Sequence, residues 1–145
     1  MSTYTNSAAF CPRGTIISYE TNPSVGFIPL AEMKNLSFTG AKYDTTDVTN
    51  YESGNFREWL TTLADSGELS FTGNYIPGDP SQSALLSQFN TGVLVSWQIT
   101  LPATVVGATP ITFKAYVQSL EHSLPLDKEA TISVKLKITG MVAGF

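Results

Sequence analysis

The sequence predicts a mainly β fold, an antiparallel β-sandwich or barrel of six to seven strands with one short flanking α-helix. Apolar and polar residues alternate in several separate segments, which is typical of strands that bury one face. Helix signals occur in one segment, and clusters of Gly, Pro, Asn and Ser separate the segments. Because 145 residues can bury one core, we expect a single domain over residues 14–145, preceded by an N-terminal arm at residues 1–13.

The first strands are predicted before residue 40. Residues 14–20 form a short strand with Ile17 and Tyr19 on one face. Over residues 28–39 the apolar phase slips twice. Since a slip of one residue reverses the two faces of a strand, this pattern indicates a bulged and strongly twisted strand.

Residues 40–66 have the weakest pattern in the chain. At most a short strand is predicted at residues 43–48, and connections of this length are commonly functional or disordered. Disordered segments are poor in aromatic residues. This segment is not, and its large apolar side chains are Tyr51, Phe56, Trp59, Leu60 and Leu63. We therefore expect a functional arm whose side chains another surface covers.

The helix is predicted just before the middle strands resume. Asp79 is a candidate N-cap, Pro80 suits the first helical position, and Gln82 is placed to complete a capping box. Gly92 is the residue type that commonly ends a helix. We predict a helix over residues 81–89 that covers the sheet with a face formed by Leu85, Leu86 and Phe89.

Four further strands surround this helix in the sequence. Residues 68–75 precede it, and residues 93–101, 111–118 and 130–139 follow it, each with alternating apolar residues. Trp97 lies in the apolar phase of its strand, so we predict that it belongs to the core.

The composition indicates self-association. Charged residues make up 14% of the chain, against about 25% in typical domains. An uncharged polar surface is easier to bury against copies of itself, because desolvating a charge costs far more than pairing a hydroxyl or an amide. The net charge of −4 and the absence of a basic cluster argue against tight nucleic-acid binding. No long apolar run or leader pattern occurs, so we expect a protein made in the cytoplasm with no membrane segment.

Catalytic and metal-binding motifs are missing from the sequence. The one histidine, His122, has no nucleophile motif near it, and the single Cys11 has no partner for a disulfide or a zinc site. Asp44 and Asp47, with Glu52 and Glu58 nearby, fit neither a calcium-loop nor a zinc spacing, so solvated acids or salt-bridge partners of Arg57 and Lys42 are the better interpretation. We predict no enzyme, no cofactor and no metal.

Five segments occur in an order that is characteristic of one family: GTIISYE, IPLAEMKNLSFTG, YDTTDVTNY, GNFREWLTTLADSGELSFTGNY and ALLSQFNTG. Over residues 14–140 the chain resembles the tail tube (major tail) proteins of long, non-contractile-tailed bacteriophages of the siphophage type. The fourth segment is the most specific, because an aromatic residue, a basic and acidic pair, a Leu and an Asp precede the Gly-Glu start of a strand.

This resemblance implies a structural subunit of the virion. Six copies would form a ring, rings would stack into a hollow tube, and DNA would pass through the lumen without specific binding. Tape-measure, tail terminator and tail-tip proteins would be the other partners. The strands at residues 28–39, 68–75, 111–120 and 129–140 would form the inner wall, with the helix outside. Residues 40–66 would be an intersubunit arm that makes contact through Tyr51, Phe56, Arg57, Glu58, Trp59 and Leu60.

The charge of the lumen depends on acidic and basic residues of the same strands. Six copies at −4 each carry −24 together, which suits a conduit that must not hold DNA. Glu32 and Glu68 are the acidic lumen candidates, yet the same strands carry four lysines: Lys34, Lys114, Lys135 and Lys137. Either the lysines pair across strands, or acids at loop edges dominate the bore.

Two other functions are compatible with the residues. The first is the related tube subunit of a secretion or contractile injection system. The second is a monomeric carbohydrate-binding β-sandwich that uses Tyr51, Phe56 and Trp59 as sugar platforms.

Overall fold

The computed structural model describes residues 13–102, 107 and 109–143. In these ranges the chain forms nine strands and one helix, which confirms a mainly β fold with a single helix, although six or seven strands were predicted. The elements are β1 (Ile16–Glu20), β2 (Ile28–Pro29), β3 (Met33–Thr39), β4 (Lys42–Asp47), β5 (Trp59–Asp65), β6 (Glu68–Asn74), α1 (Pro80–Thr91), β7 (Val95–Thr100), β8 (Ile111–Ser123) and β9 (Thr131–Ala143). Residues 1–12 of the predicted N-terminal arm lie outside the described ranges.

Seven strands form one antiparallel sheet in the order β2-β1-β7-β8-β9-β6-β3, and β4 and β5 form a separate hairpin. The helix α1 packs against β8. Alternate residues of the sheet are buried, and strands three apart in this order meet through Phe71 and Trp97 and through Phe38 and Phe113 (ring centroids 5.8 Å apart), so the sheet curls around the core. Trp97 is fully buried at its centre, as predicted, with ring centroids 6.0 Å from Tyr19 and 6.2 Å from Phe71. The helix contributes Leu85, which is also fully buried.

The predicted strand at residues 28–39 is divided into β2 and β3. Glu32 and Asn35 have φ near +54° (53° and 54°), which turns the chain between the two strands and bulges β3. The pairing of β3 with β6 accordingly shifts between Lys34 and Ser37. The phase slips in the sequence therefore mark a real bulge, together with a break that the alternation did not predict.

The first turn of α1 holds this break in place. The Gln82 amide donates from Nε2 to the carbonyl oxygens of Ala31 (3.3 Å) and Asn74 (2.8 Å), and Oε1 accepts from the Ile76 amide at 3.0 Å. Ser81 Oγ accepts from the Ala31 amide at 3.3 Å. Buried polar groups need such partners, so these two side chains fix the helix to the break between β2 and β3.

The predicted capping box is wrong for the same reason. Asp79 makes no side-chain cap hydrogen bond, and its carboxylate instead accepts from the Ser81 hydroxyl at 2.6 Å. Gln82 is occupied by the contacts to Ala31, Asn74 and Ile76. Pro80 in the first turn and a left-handed Gly92 at the end of the helix are as predicted.

The buried face of α1 also differs from the prediction. Leu85 is buried, but Leu86 and Phe89 are exposed. The other buried residues of the helix are polar: Ser81, Gln82 and Gln88.

A membrane-spanning helix is not found among the described residues, since α1 is neither long nor apolar enough to cross a membrane.

Residues 40–66 contain a hairpin rather than an irregular loop. The strands β4 and β5 pair from Lys42 opposite Asp65 to Asp47 opposite Trp59, with one register shift. Gly67 joins this hairpin to β6 with φ +84°, and its carbonyl oxygen accepts from the Ile138 amide at 3.1 Å. The root of the hairpin is thus built on a backbone conformation that favours glycine.

We expect Gly67→Ala to destabilise the protein by about 1–3 kcal/mol, because the residue would be strained at positive φ and its Cβ would collide with the backbone. The added atom would meet the Thr39 carbonyl oxygen and lie 2.7 Å from the Gly40 carbonyl carbon. Urea unfolding measures the change. Gly54→Ala is the matched control, since Gly54 has φ +72° but no atom within 4 Å of the added Cβ. Equal losses in the two variants would show that the collision contributes nothing.

Candidate assembly surfaces

The hairpin formed by β4 and β5 is the most exposed part of the described chain. Every residue of both strands is exposed, and the two strands pack chiefly on each other. Its apolar side chains include Phe56 at 81% exposure, Trp59 at 57% and Leu63 at 77%; Tyr51 and Leu60 are exposed as well. Monomeric proteins rarely leave contiguous large apolar side chains in water. The predicted arm residues thus lie together on one exposed hairpin, and their apolar side chains are candidates for burial against another subunit.

The charged residues of the hairpin are largely occupied by neighbours within it. Arg57 lies 3.7 Å from Asp47, which also accepts from the Thr49 hydroxyl at 2.5 Å. Glu58 accepts from the Ser53 hydroxyl at 2.7 Å. Hydrogen bonds from the Thr49 hydroxyl and amide hold the pKa of Asp47 below its ordinary value. Arg57 and Glu58 thus organise the tip, and the apolar side chains are the groups left without partners.

The polar face of the large sheet is the second candidate surface. The four strands that correspond to the inner-wall segments are consecutive neighbours in the order β8-β9-β6-β3. Their residues that alternate with the core are mainly hydroxyl, amide and lysine side chains. One continuous face therefore carries the lysines and Glu68 of the prediction.

Three of the four lysines on this face are paired with carboxylates. Lys34 lies 3.6 Å from Glu129, Lys135 lies 3.8 Å from Glu68, and Lys137 lies 3.3 Å from Asp65. Exposed pairs of this kind add little to stability, but each cancels a local charge. Within the described ranges Lys114 has no carboxylate within 4 Å, so it is the unpaired cation of the face.

The two predicted acidic lumen residues are not brought together. Glu68 lies at the first residue of β6, whereas Glu32 lies between β2 and β3 and its carbonyl oxygen accepts from the amide of Asn74, the last residue of β6. Six residues of strand separate these positions by roughly 20 Å. The partners Asp65 and Glu129 were missed by sequence reasoning, because they lie at the end of β5 and before β9 and only the tertiary fold places them beside lysines.

Asp65 makes the root of the hairpin sensitive to acid. Its Oδ1 accepts from the Gly67 amide at 2.8 Å, and this bond, followed by Lys137, holds the pKa of Asp65 below its ordinary value. The pKa of Asp65 is thus lower in the folded chain than in the unfolded chain, where it is about 3.9. The stabilisation of the fold by the charged carboxylate is complete above about pH 3.9 and is lost as the pH falls through the pKa of the folded state.

We therefore expect the hairpin root to loosen only at a pH below about 4. Amide exchange of Gly67, followed by NMR from pH 6 to pH 2, measures this loss of protection. Asp65→Asn is the control, because its side chain does not titrate and the pH step at Gly67 should vanish. An unchanged step in that variant would contradict the assignment.

Neither surface carries a metal-binding cluster among the described residues. The described residues contain no group of three or more His, Cys, Asp or Glu side chains placed to hold a metal ion. His122 lies within β8 and packs edge-on against Tyr75 at a centroid distance of 4.6 Å. What the two surfaces offer is contact area and a charge-balanced polar wall.

Comparison with known structures shows the same fold in tube-forming particles. The tail of an empty gene transfer agent (GTA) particle with C6 symmetry aligns with a TM-score of 0.75 and 19% identity, covering 94% of this chain and 99% of that one. The SPP1 tail tube aligns with a TM-score of 0.67 and 14% identity, covering 90% and 77%. The sheath–tube complex of an extracellular contractile injection system (PVC) aligns with a TM-score of 0.62 and 16% identity, covering 90% and 88%.

The sequence comparison is more specific than the fold. No curated protein matches the sequence significantly. The family model of the lambda phage tail tube protein matches residues 12–143, nearly the whole chain. This match confirms the siphophage-type resemblance and decides among the three functions that the residues allowed. The chain belongs to the lambda phage tail tube protein family and is a structural subunit of the tail tube of a virion.

Proposed function

We propose that six copies of this chain form a ring, that rings stack into a hollow tube, and that DNA passes through its lumen without specific binding. The observation that carries the proposal is the projecting hairpin with its exposed apolar side chains, which has no cover within the described chain. The C6 symmetry of a tail with the same fold supports the number of subunits.

In this assembly the hairpin is the intersubunit arm. Tyr51, Phe56, Trp59 and Leu60 bury their apolar surface on a neighbouring copy, while Arg57 and Glu58 keep the tip in shape. Aromatic anchors of this kind carry most of the binding energy in protein interfaces. The domain 14–145 then supplies the ring body.

The polar face of β8, β9, β6 and β3 lines the lumen. Cationic clusters on such a wall would bind phosphates with the release of counterions. Pairing Lys34, Lys135 and Lys137 with carboxylates removes most of that attraction, which supports the first of the two lumen alternatives. Glu68 acts there as a partner of Lys135, and Lys114 is the remaining cation.

The role is structural, without catalysis, cofactor or metal. Solved relatives of the fold include a sheath/tube terminator and a tube-terminating cap of contractile particles. A terminator at one end and tail-tip proteins at the other, with a tape-measure protein inside, are the partners we propose for this tube.

Electron microscopy of the concentrated purified protein, together with its mass in solution, tests the proposal. We expect six-fold rings or hollow rods whose central hole admits duplex DNA. Rings of another symmetry would contradict the subunit number, and a monomer that never assembles would contradict the tube. Gel retardation of duplex DNA by the assembled tubes should be weak at low salt, and tight binding would contradict the lumen assignment.

A further inference from the structure

One flank of α1 carries a stripe of exposed apolar side chains, here called the helix stripe. It consists of Leu86 and Phe89 in the helix and Val93 and Leu94 just after it, all about half exposed. Leu86 and Phe89 are three residues apart, so they lie on one side of the helix. Val93 and Leu94 directly follow Gly92, where the helix ends. The buried face of the same helix is formed instead by Ser81, Gln82, Leu85 and Gln88.

The helix stripe lies in a part of the chain without charge. No Asp, Glu, Lys, Arg or His occurs from residue 80 to residue 113. Covering this segment buries no charged side chain of its own, whereas a buried unpaired charge is costly. The other strongly exposed apolar pair, Leu124 and Leu126, is followed directly by the charged residues 127–129 and lacks this property.

The hairpin of β4 and β5 offers an exposed apolar surface that could cover the helix stripe. Its apolar side chains are exposed, and from residue 42 to residue 65 it carries two cations against five carboxylates, a net charge of −3. An acidic element docks more easily on an uncharged apolar surface than on one that carries carboxylates. Within one chain the hairpin strands make no substantial contact with α1, so any pairing of the two surfaces needs a second copy.

We propose that the hairpin of one subunit docks on the helix stripe of a neighbouring subunit. This inference rests on the proposed tube and names the surface that receives the arm. The contact joins two different patches of identical chains. Such a heterologous contact propagates through rings and stacks, whereas a self-complementary patch would stop at a dimer.

Two pairs of substitutions on the same helix test the proposal. Leu86→Asp with Phe89→Asp places charges on the stripe, and Ser83→Asp with Ser87→Asp places the same charges on exposed positions of the helix that border the stripe without belonging to it. We expect the stripe variant to remain a folded monomer by circular dichroism but to raise the critical concentration for tubes at least about tenfold. The control pair should assemble like the parent. A stripe variant that assembles as well as its control would overturn the proposal.

Cross-linking separates this inference from the tube itself. In a Cys11→Ser background, chains with Phe56→Cys are mixed with chains with Phe89→Cys, assembled, and treated with a short bifunctional maleimide. We expect covalent dimers in the mixture and few with either variant alone. Tubes without cross-linked dimers would refute the docking while leaving the tube intact. If the parent chain forms no tubes, the proposed function fails instead.

Discussion

Trp97→Ala is expected to lower the free energy of unfolding by about 3–5 kcal/mol, the usual cost of emptying a large buried aromatic site. Trp97 has no exposed surface and packs against Tyr19 and Phe71, so its loss leaves a cavity at the centre of the core. Urea unfolding followed by circular dichroism measures the difference. Since domains are stable by only about 5–15 kcal/mol, the variant loses a large share of its stability.

Trp97→Phe is the control for that experiment. The Trp97 indole Nε1 is buried without a hydrogen-bond partner in the described part of the chain, so the smaller aromatic removes packing but no hydrogen bond. We expect a loss clearly smaller than that of Trp97→Ala. If the urea midpoint of unfolding is the same for Trp97→Ala and the parent, Trp97 does not hold the core together.

Trp59→Ala should have the opposite phenotype. Trp59 is more than half exposed at the start of β5, so its removal should change the stability of the single subunit by less than about 0.5 kcal/mol. As an aromatic anchor at an interface it can contribute 2 kcal/mol or more, and this loss is repeated at every contact of the tube. We expect a folded subunit with few or no tubes under the electron microscope.

The two tryptophans control for each other, since the same substitution is made at a buried and at an exposed site. Loss of tubes in Trp59→Ala counts only if its unfolding curve matches that of the parent. Tubes of normal length and yield in this variant would show that the hairpin is not the arm. A Trp59→Ala subunit that unfolds like Trp97→Ala would mean that Trp59 belongs to the fold.

The strands that border the core could be predicted from the sequence because burial leaves a pattern. In β6, and in β9 as far as Ile138, every second residue is buried, and the alternation of Leu69 and Phe71 or of Val134 and Leu136 with polar neighbours marks the strands directly. The same pattern placed Trp97 in the core.

The hairpin could not be predicted in full because its strands bury neither face. Both faces of β4 and β5 are exposed, so no alternation of apolar and polar residues is required there. The sequence showed only that Trp59 and its apolar neighbours needed a cover. The pairing of the strands depends on backbone hydrogen bonds, which leave little trace in residue type.

The face of α1 was assigned wrongly because its buried side is mostly polar. Gln82 and Ser81 are buried through hydrogen bonds to Ala31, Asn74 and Ile76, which belong to other elements. A search for apolar periodicity selects Leu86 and Phe89 instead, because it cannot detect that buried polar side chains find hydrogen-bond partners on other elements. Likewise, two partners of the face lysines lie outside the four strands of that face, Asp65 at the end of β5 and Glu129 before β9, so no single segment encodes the pairing.

The separate hairpin also bears on how subunits survive before they assemble. Each of its strands is hydrogen-bonded on one side only, so two backbone edges are open to any other extended chain. Open edges invite strand addition between molecules and are a common start of aggregation. Five carboxylates on this element repel the same element of another copy. With two cations on the same element its net charge is −3, and we expect this charge to disfavour edge-to-edge pairing of unassembled subunits.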